Sequence, residues 1–291
     1  MKFANVGGRA CLRLADRFLD VERSSQGRFG ADPMQALRRW AQLRAWAADL
    51  DPDDGVEAEG TLGAPVPEPG QVFGIGINYA DHASESGLAS GQYPLVFGKF
   101  SSCIAAPTAE LVRCTEWMDW EVELVVVIAD ECRQVSVDDA WRHVAGLTIG
   151  QDISDREVQF RKPDPPQFGL GKSRPGFGPI GPWIVTADEL SDPDDLAIRC
   201  SLNGEIVQQA RTGNLIFSVP EIVSYLSGLT WLRPGDLIFT GTPAGVGASR
   251  QPPRYLRPGD ALVSEIDGIG AMTTMVVAQA EVERKVTATS D

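Results

Sequence analysis

The chain has 291 residues and a mass of 31.4 kDa, enough for one large domain, or one large and one small, with a sizeable core. Its 26 Lys plus Arg against 40 Asp plus Glu leave a net charge of −14, which excludes nucleic acid and anionic membrane surfaces as expected partners. No secretory core opens the chain and no apolar run approaches the roughly 20 residues that span a bilayer, so a cytoplasmic globular enzyme is expected.

Residues 1–50 read as a short hairpin followed by a helix. Asp32 is placed to cap that helix, Pro33 suits its first turn, and Leu37, Trp40, Leu43, Trp46 and Leu50 form its buried stripe. Residues 51–70 are rich in Pro, Gly and acids and poor in large apolar residues, which reads as an irregular connection. The expected division follows: a small N-terminal α/β domain over 1–68 and a catalytic domain over 69–291. Beyond the connection, apolar runs at 71–77, 95–99, 121–129, 145–151, 182–186, 197–202, 236–240 and 260–266 alternate with Pro/Gly turns and predict strands. Two helices interrupt them, announced by Ser136-x-x-Asp139 before Trp141 and by Ser218-x-x-Glu221, with Gly228 marking the end of the second. The expected class is therefore α+β, mostly β. Leu-Arg-Pro-Gly-Asp occurs at 232–236 and again at 256–260, each time as a type II turn feeding a strand.

Within Trp120–Ile128, Glu121 and Glu123 share one face of an otherwise apolar strand, because side chains alternate along a strand. Two adjacent buried carboxylates repel and lose solvation, and the segment contains no Lys or Arg to pair with them, so a cation is the expected partner. Asp152, at the end of another apolar run, can supply a third oxygen. With only two histidines, His82 and His143, and five cysteines lacking any C-x-x-C, the composition favours a hard ion such as Mg²⁺, Mn²⁺ or Ca²⁺ over zinc or copper, and neither a disulfide framework nor a zinc knuckle.

His82 and Glu85 stand three apart and would share a helical face, where the carboxylate would orient the imidazole as a base. Arg156 and Gln159 follow Asp152 and offer a carboxylate clamp and a neutral hydrogen-bonding group. Lys172 lies in a Gly-rich stretch that lets backbone and ammonium approach an anionic oxygen, and Thr242 sits in the Gly-rich loop 240–247. Two decoys are set aside. Gly74-Ile75-Gly76 lacks the third glycine and the helix of a dinucleotide site, and Gly171-Lys172-Ser173 lacks the first glycine of a P-loop.

GINYADHASE at 76–85, DWEVELVVVI at 119–128, GQDISDREVQ at 150–159, GKS at 171–173, GPIGPW at 178–183 and PGDLIFTGTPAGVG at 234–247 carry a resemblance to the fumarylacetoacetate hydrolase family across roughly residues 71–278. The resemblance implies a mixed β-roll, a homodimer, and Mg²⁺ or Mn²⁺ on Glu121, Glu123 and Asp152, with Ca²⁺ as a structural substitute. It also implies a His82/Glu85 pair on a mobile lid, Lys172 near the substrate oxyanion, and Arg156, Gln159 and Thr242 as substrate contacts. Ser173-Arg174-Pro175-Gly176-Phe177 departs from the Ser-Phe-Asp-Thr-Phe common in the family, and Arg174 is expected to face solvent, the alternative being contact with a second carboxylate on the substrate. The expected reaction is metal-dependent cleavage of a carbon–carbon bond in an acylpyruvate-like 2,4-dioxo acid, giving pyruvate and a carboxylic acid. The alternatives are oxaloacetate decarboxylation and isomerisation or decarboxylation of a 2-hydroxydienedioate at the same site. An inactive ligand-binding relative is the alternative from another class.

Overall fold

A computed structural model describes residues 1–87 and 91–279, so the last residues of the expected larger domain, 280–291, lie outside the described residues. Its frame is an eleven-stranded sheet. Along the sheet the order is Arg17–Asp20, Arg9–Leu14, Lys2–Val6, Gly178–Val185, Val144–Gln151, Val122–Ile128, Leu237–Phe239, Val72–Gly76 and Leu95–Lys99, and off this path Leu62–Gly63 pairs with Lys2–Val6 and Ile104–Ala105 with Gly178–Val185. A five-stranded sheet built from Glu205–Arg211, Ala197–Leu202, Ala261–Ile266, Gly270–Ala278 and Glu110–Arg113 completes the α+β, mostly β architecture.

The centre of the large sheet is the antiparallel pair Val122–Ile128 and Val144–Gln151, in which Glu123 faces Gly150 and Ile128 faces Val144. Every residue of both strands is buried. Alternation divides the first strand between two cores. Val122, Leu124, Val126 and Ile128 enter the core shared with the five-stranded sheet, while Val125 and Val127 enter a second core with Phe3, Leu12, Leu37, Trp40 and Phe239. The second core therefore joins residues from both sides of the expected boundary near residue 68. Lys2–Val6 also pairs directly with Gly178–Val185, so residues 1–68 share the sheet as well as a core with the rest of the chain.

Several local expectations are met. Asp32 caps the helix Pro33–Leu37 through Met34 N–H, Pro33 stands at its start, and the two Pro-Gly turns place Gly235 and Gly259 at φ +84° and +90°, as type II geometry requires. Ser218 and Glu221 form both halves of a capping box on Val219–Leu229.

Others are corrected. The stripe is split between two helices, Pro33–Leu37 and Trp40–Ala48, broken at Arg39, which takes φ −118°, and Leu50 falls beyond the second of them. Ser136 does accept from Asp139 N–H, but only a 3₁₀ turn, Ala140–His143, follows, because pairing of Val144 with Ile128 claims the next backbone groups for the sheet. Gly228 lies inside the last helical turn, and the helix ends at the extended Thr230.

Candidate active site

The two glutamates come together with Asp152 because of strand register. Val122 faces Gln151, so the next residues outward, Glu121 and Asp152, stand opposite each other, and Asp152 N–H donates to Glu121 O at 2.9 Å. Oxygens of Glu121, Glu123 and Asp152 lie within 4.8 Å of one another, and all three residues are buried. The glycine loop after Leu237–Phe239 closes over them. Gly241 N–H donates to Glu123 Oε2 at 2.7 Å, a close approach made at φ +104°, where a Cβ would strike Asn78 and Ile75 O.

The expectation that these carboxylates lack protein cations holds only within the strand. Lys172 Nζ donates to Glu121 Oε2 at 2.6 Å and to Asp152 Oδ2 at 2.7 Å, and Arg156 Nη1 lies 2.7 Å from Glu121 Oε1. Lys99, which was not singled out from the sequence, is fully buried and donates to Asp152 Oδ1 at 2.6 Å, to Phe177 O, and in a very short bond to Lys172 O. Asp119 was also missed. Its Oδ2 accepts from Arg156 Nε at 2.8 Å, and its two oxygens accept from the Gly247 and Ala248 backbone, so it fixes the guanidinium and the glycine loop together.

Four carboxylates, Asp119, Glu121, Glu123 and Asp152, thus meet three cations, Lys99, Arg156 and Lys172, and one negative charge is left over. Among the described residues Glu123 forms no ion pair. Burial, with Asp152 and Glu121 alongside, pushes its carboxyl well above the usual range. Burial also disfavours the charge on Glu121, but Lys172 and Arg156 outweigh it and bring that carboxyl down to about 2. Burial likewise opposes the Lys172 ammonium, and Asp152 and Glu121 overcome it and raise that group above its ordinary value. A compact, buried, all-oxygen cluster with uncompensated negative charge fits a hard divalent cation.

His82 and Glu85 lie on the helix Ala80–Ser86, with Nδ1 3.2 Å from Glu85 Oε2, so the i, i+3 expectation is met. Glu85 also accepts from Gly245 N–H at 3.0 Å, which ties the helix to the glycine loop. Gln159 is buried and accepts from Arg156 Nη1 at 2.9 Å. Thr242 Oγ1 donates to Val122 O and accepts from Gln208 Nε2, so its hydroxyl fastens the loop to the central strand. A cavity of about 400 Å³ is lined by His82, all three carboxylates, Arg156, Gln159, Lys172 and Thr242, with Phe97, Phe160 and Phe168 on its apolar side. Of the nine site residues expected from sequence, Glu85 alone does not line this cavity, and it touches His82. Arg174 corrects an expectation. It does not simply face solvent, because its Nε and Nη2 both reach Oδ2 of buried Asp155, which in turn caps the helix Arg156–Phe160.

Known proteins resemble this chain in sequence and fold. The human mitochondrial oxaloacetate tautomerase FAHD2A is 40% identical over 222 residues, 76% of this chain and 70% of that protein. A Mycobacterium smegmatis protein provisionally named HpcE superposes with a TM-score of 0.91 at 45% identity, covering 96% of this chain and all of that one (100%). Maleylpyruvate hydrolase from Sphingobium sp. SYK-6, solved with manganese(II) and pyruvate, superposes with a TM-score of 0.78 at 28% identity over 96% of this chain and 99% of that one. The named activities of these relatives differ, and among the described residues no helix is long and apolar enough to cross a membrane. The model of the fumarylacetoacetate (FAA) hydrolase C-terminal region matches residues 71–277, and with it the chain belongs to the fumarylacetoacetate hydrolase family.

Proposed function

We propose that the chain cleaves the carbon–carbon bond of an acylpyruvate-like 2,4-dioxo acid with water, giving pyruvate and a carboxylic acid. The observation that carries this reading is a His82–Glu85 pair set beside the Glu121/Glu123/Asp152 cluster at one cavity with an aromatic wall. Mg²⁺ or Mn²⁺, with Ca²⁺ as a structural substitute, would be held by those three carboxylates and would supply Lewis-acid polarisation of the 2-oxo acid oxygens.

The remaining roles fall to the chain's own groups. In this role Glu85 accepts a hydrogen bond from His82 Nδ1–H, which leaves Nε2 as the base that draws a proton from water. Lys172 presents its ammonium to the oxygen that gains charge as the bond breaks. Arg156, held by Asp119 and Gln159, is the clamp for the substrate carboxylate, and Thr242 sets the height of the loop above it. Phe97, Phe160 and Phe168 exclude water around the substituent beyond the reacting carbonyl. The net charge of −14 opposes nucleic acid and an anionic membrane surface as partners, and a cytoplasmic homodimer acting on a small 2-oxo acid is part of the same proposal.

A second reading is keto–enol tautomerisation of oxaloacetate, favoured by the name of the human relative. There the His82–Glu85 pair would move a proton between carbon and oxygen without water attack. Pyruvate release from acetylpyruvate, oxaloacetate and a hydroxydienoate, measured with Mg²⁺ or Mn²⁺ alongside the decay of enol-oxaloacetate absorbance, separates the readings. Pyruvate from acetylpyruvate is the expected result. Accelerated enol decay with no acetylpyruvate turnover would replace the first reading with the second, and no turnover of any substrate would leave a ligand-binding relative.

A further inference from the structure

Asp130, Cys132 and His143 bring one oxygen, one sulfur and one nitrogen within 4.8 Å of one another at the opposite end of the central strand pair from the carboxylate cluster. His143 Nδ1 lies 2.5 Å from Asp130 Oδ1, and Cys132 Sγ lies 3.9 Å from the same oxygen. The backbone around all three is pinned. Ala129 N–H donates to His143 O at 2.8 Å, and Cys132 exchanges both backbone hydrogen bonds with Leu232, at 3.0 and 3.3 Å.

The neighbouring cations are engaged elsewhere. Arg133 pairs with Glu131 and lies over the Trp231 ring, and Arg142 pairs with Asp139, so among the described residues His143 is the only ion-pair partner of Asp130. Cys132 is fully buried, while the side chains of His143 and Asp130 are 26% and 59% exposed, so a solute meets the cluster from the imidazole and carboxylate side. A hollow lined by Arg133, Ser136, Asp139 and His143 opens beside it.

We infer that Asp130, Cys132 and His143 form a second metal site, separate from the carboxylate cluster and selective for a borderline divalent ion of the zinc class. Thiolate and imidazole suit Zn²⁺ or Co²⁺, whereas Mg²⁺ and Ca²⁺ take oxygen. Three protein ligands leave a fourth position for water. As the metal–sulfur bond forms, the Cys132 thiol gives up its one proton to solvent.

The test is a Co²⁺ titration of the full chain after chelator treatment, read in the near-ultraviolet, where thiolate-to-cobalt charge transfer reports sulfur ligation that an all-oxygen site cannot give. The expected result is a saturable band that survives in Glu123→Gln and disappears in Cys132→Ser. In Asp130→Asn and in His143→Gln, both altered where the side chain meets solvent, the Co²⁺ affinity falls at least about tenfold. Circular dichroism of each variant separates ligand loss from misfolding. Absence of the band in the unaltered chain overturns the site, as does a band unchanged in Cys132→Ser or unchanged affinity in both Asp130→Asn and His143→Gln.

Discussion

The strands Val122–Ile128 and Val144–Gln151 carry a three-residue cluster at each end, and the two ends treat charge in opposite ways. At the Glu121/Glu123/Asp152 end the fold recruits Lys99, Arg156 and Lys172 from distant segments and still leaves one carboxylate without an ion pair. At the Asp130/Cys132/His143 end the nearby arginines are occupied by other acids, and among the described residues Asp130 pairs with His143 alone. The difference teaches that burial alone does not select an ion. Oxygen set among ammonium groups suits a hard cation that must also share its ligands with substrate chemistry. Sulfur and nitrogen on a pinned backbone suit an ion that only has to stay.

The comparison breaks most sharply at Glu123. Glu123→Gln, or chelation of the unaltered chain, is expected to lower turnover by about 10³-fold, since a Lewis acid supplies several kcal/mol in the transition state. Steady-state assays with and without added Mn²⁺ check it, and turnover that survives both treatments would detach the chemistry from this end. Lys99→Met is expected to cost about 3 kcal/mol of stability in chelator, because it leaves buried Asp152 short of one partner. Denaturant unfolding measures that loss, and a change within about 0.5 kcal/mol, the scale of an ordinary surface substitution, would show that Lys172 alone neutralises Asp152.

His82→Gln tests the proton-moving side of the same end and is expected to lower kcat about 100-fold, with metal affinity unchanged. Equal loss of metal binding would mean that the helix Ala80–Ser86 shapes the cluster itself. The smallest effect belongs to the other end. His143→Gln is expected to leave turnover within about twofold and to cut a Zn²⁺-dependent stabilisation of about 2.7 kcal/mol, at 100 times the unaltered chain's dissociation constant, to about 1.4 kcal/mol or less, the effect of a tenfold loss of affinity. Thermal melts with graded Zn²⁺ check it, and stabilisation that persists in full would place the ion elsewhere.

Features that depend on near neighbours were legible in the sequence. The period-two pattern through Glu121–Ile128 is local, so both the shared face of the glutamates and the division of Val122–Ile128 between two cores could be read before any coordinate. Glu85 beside His82 is likewise a matter of helical spacing. Lys99 was not legible. A lysine ending an apolar run has the pattern of a strand exit, and its partner Asp152 lies 53 residues away, joined only by sheet packing. Arg174 is the same case, since its 41% exposed side chain reaches Asp155 across a turn that no periodicity marks. The strand Glu205–Arg211 escaped because exposed Glu205, Gln209 and Arg211 make it look like a polar loop, although Val207 and Gln208 are buried.

The register of the central pair has a consequence for how this chain can vary over time. Because strand faces repeat every two residues, one residue inserted between Glu123 and Ile128 would reverse the faces on one side of the insertion. Either Glu121 and Glu123 would turn into the wrong core, or Asp130 and Cys132 would lose step with His143. Lineages that keep both clusters should therefore tolerate insertions before Glu121 and after Cys132 and none between them, so the stretch from Glu121 to Cys132 should be inherited as a block of fixed length.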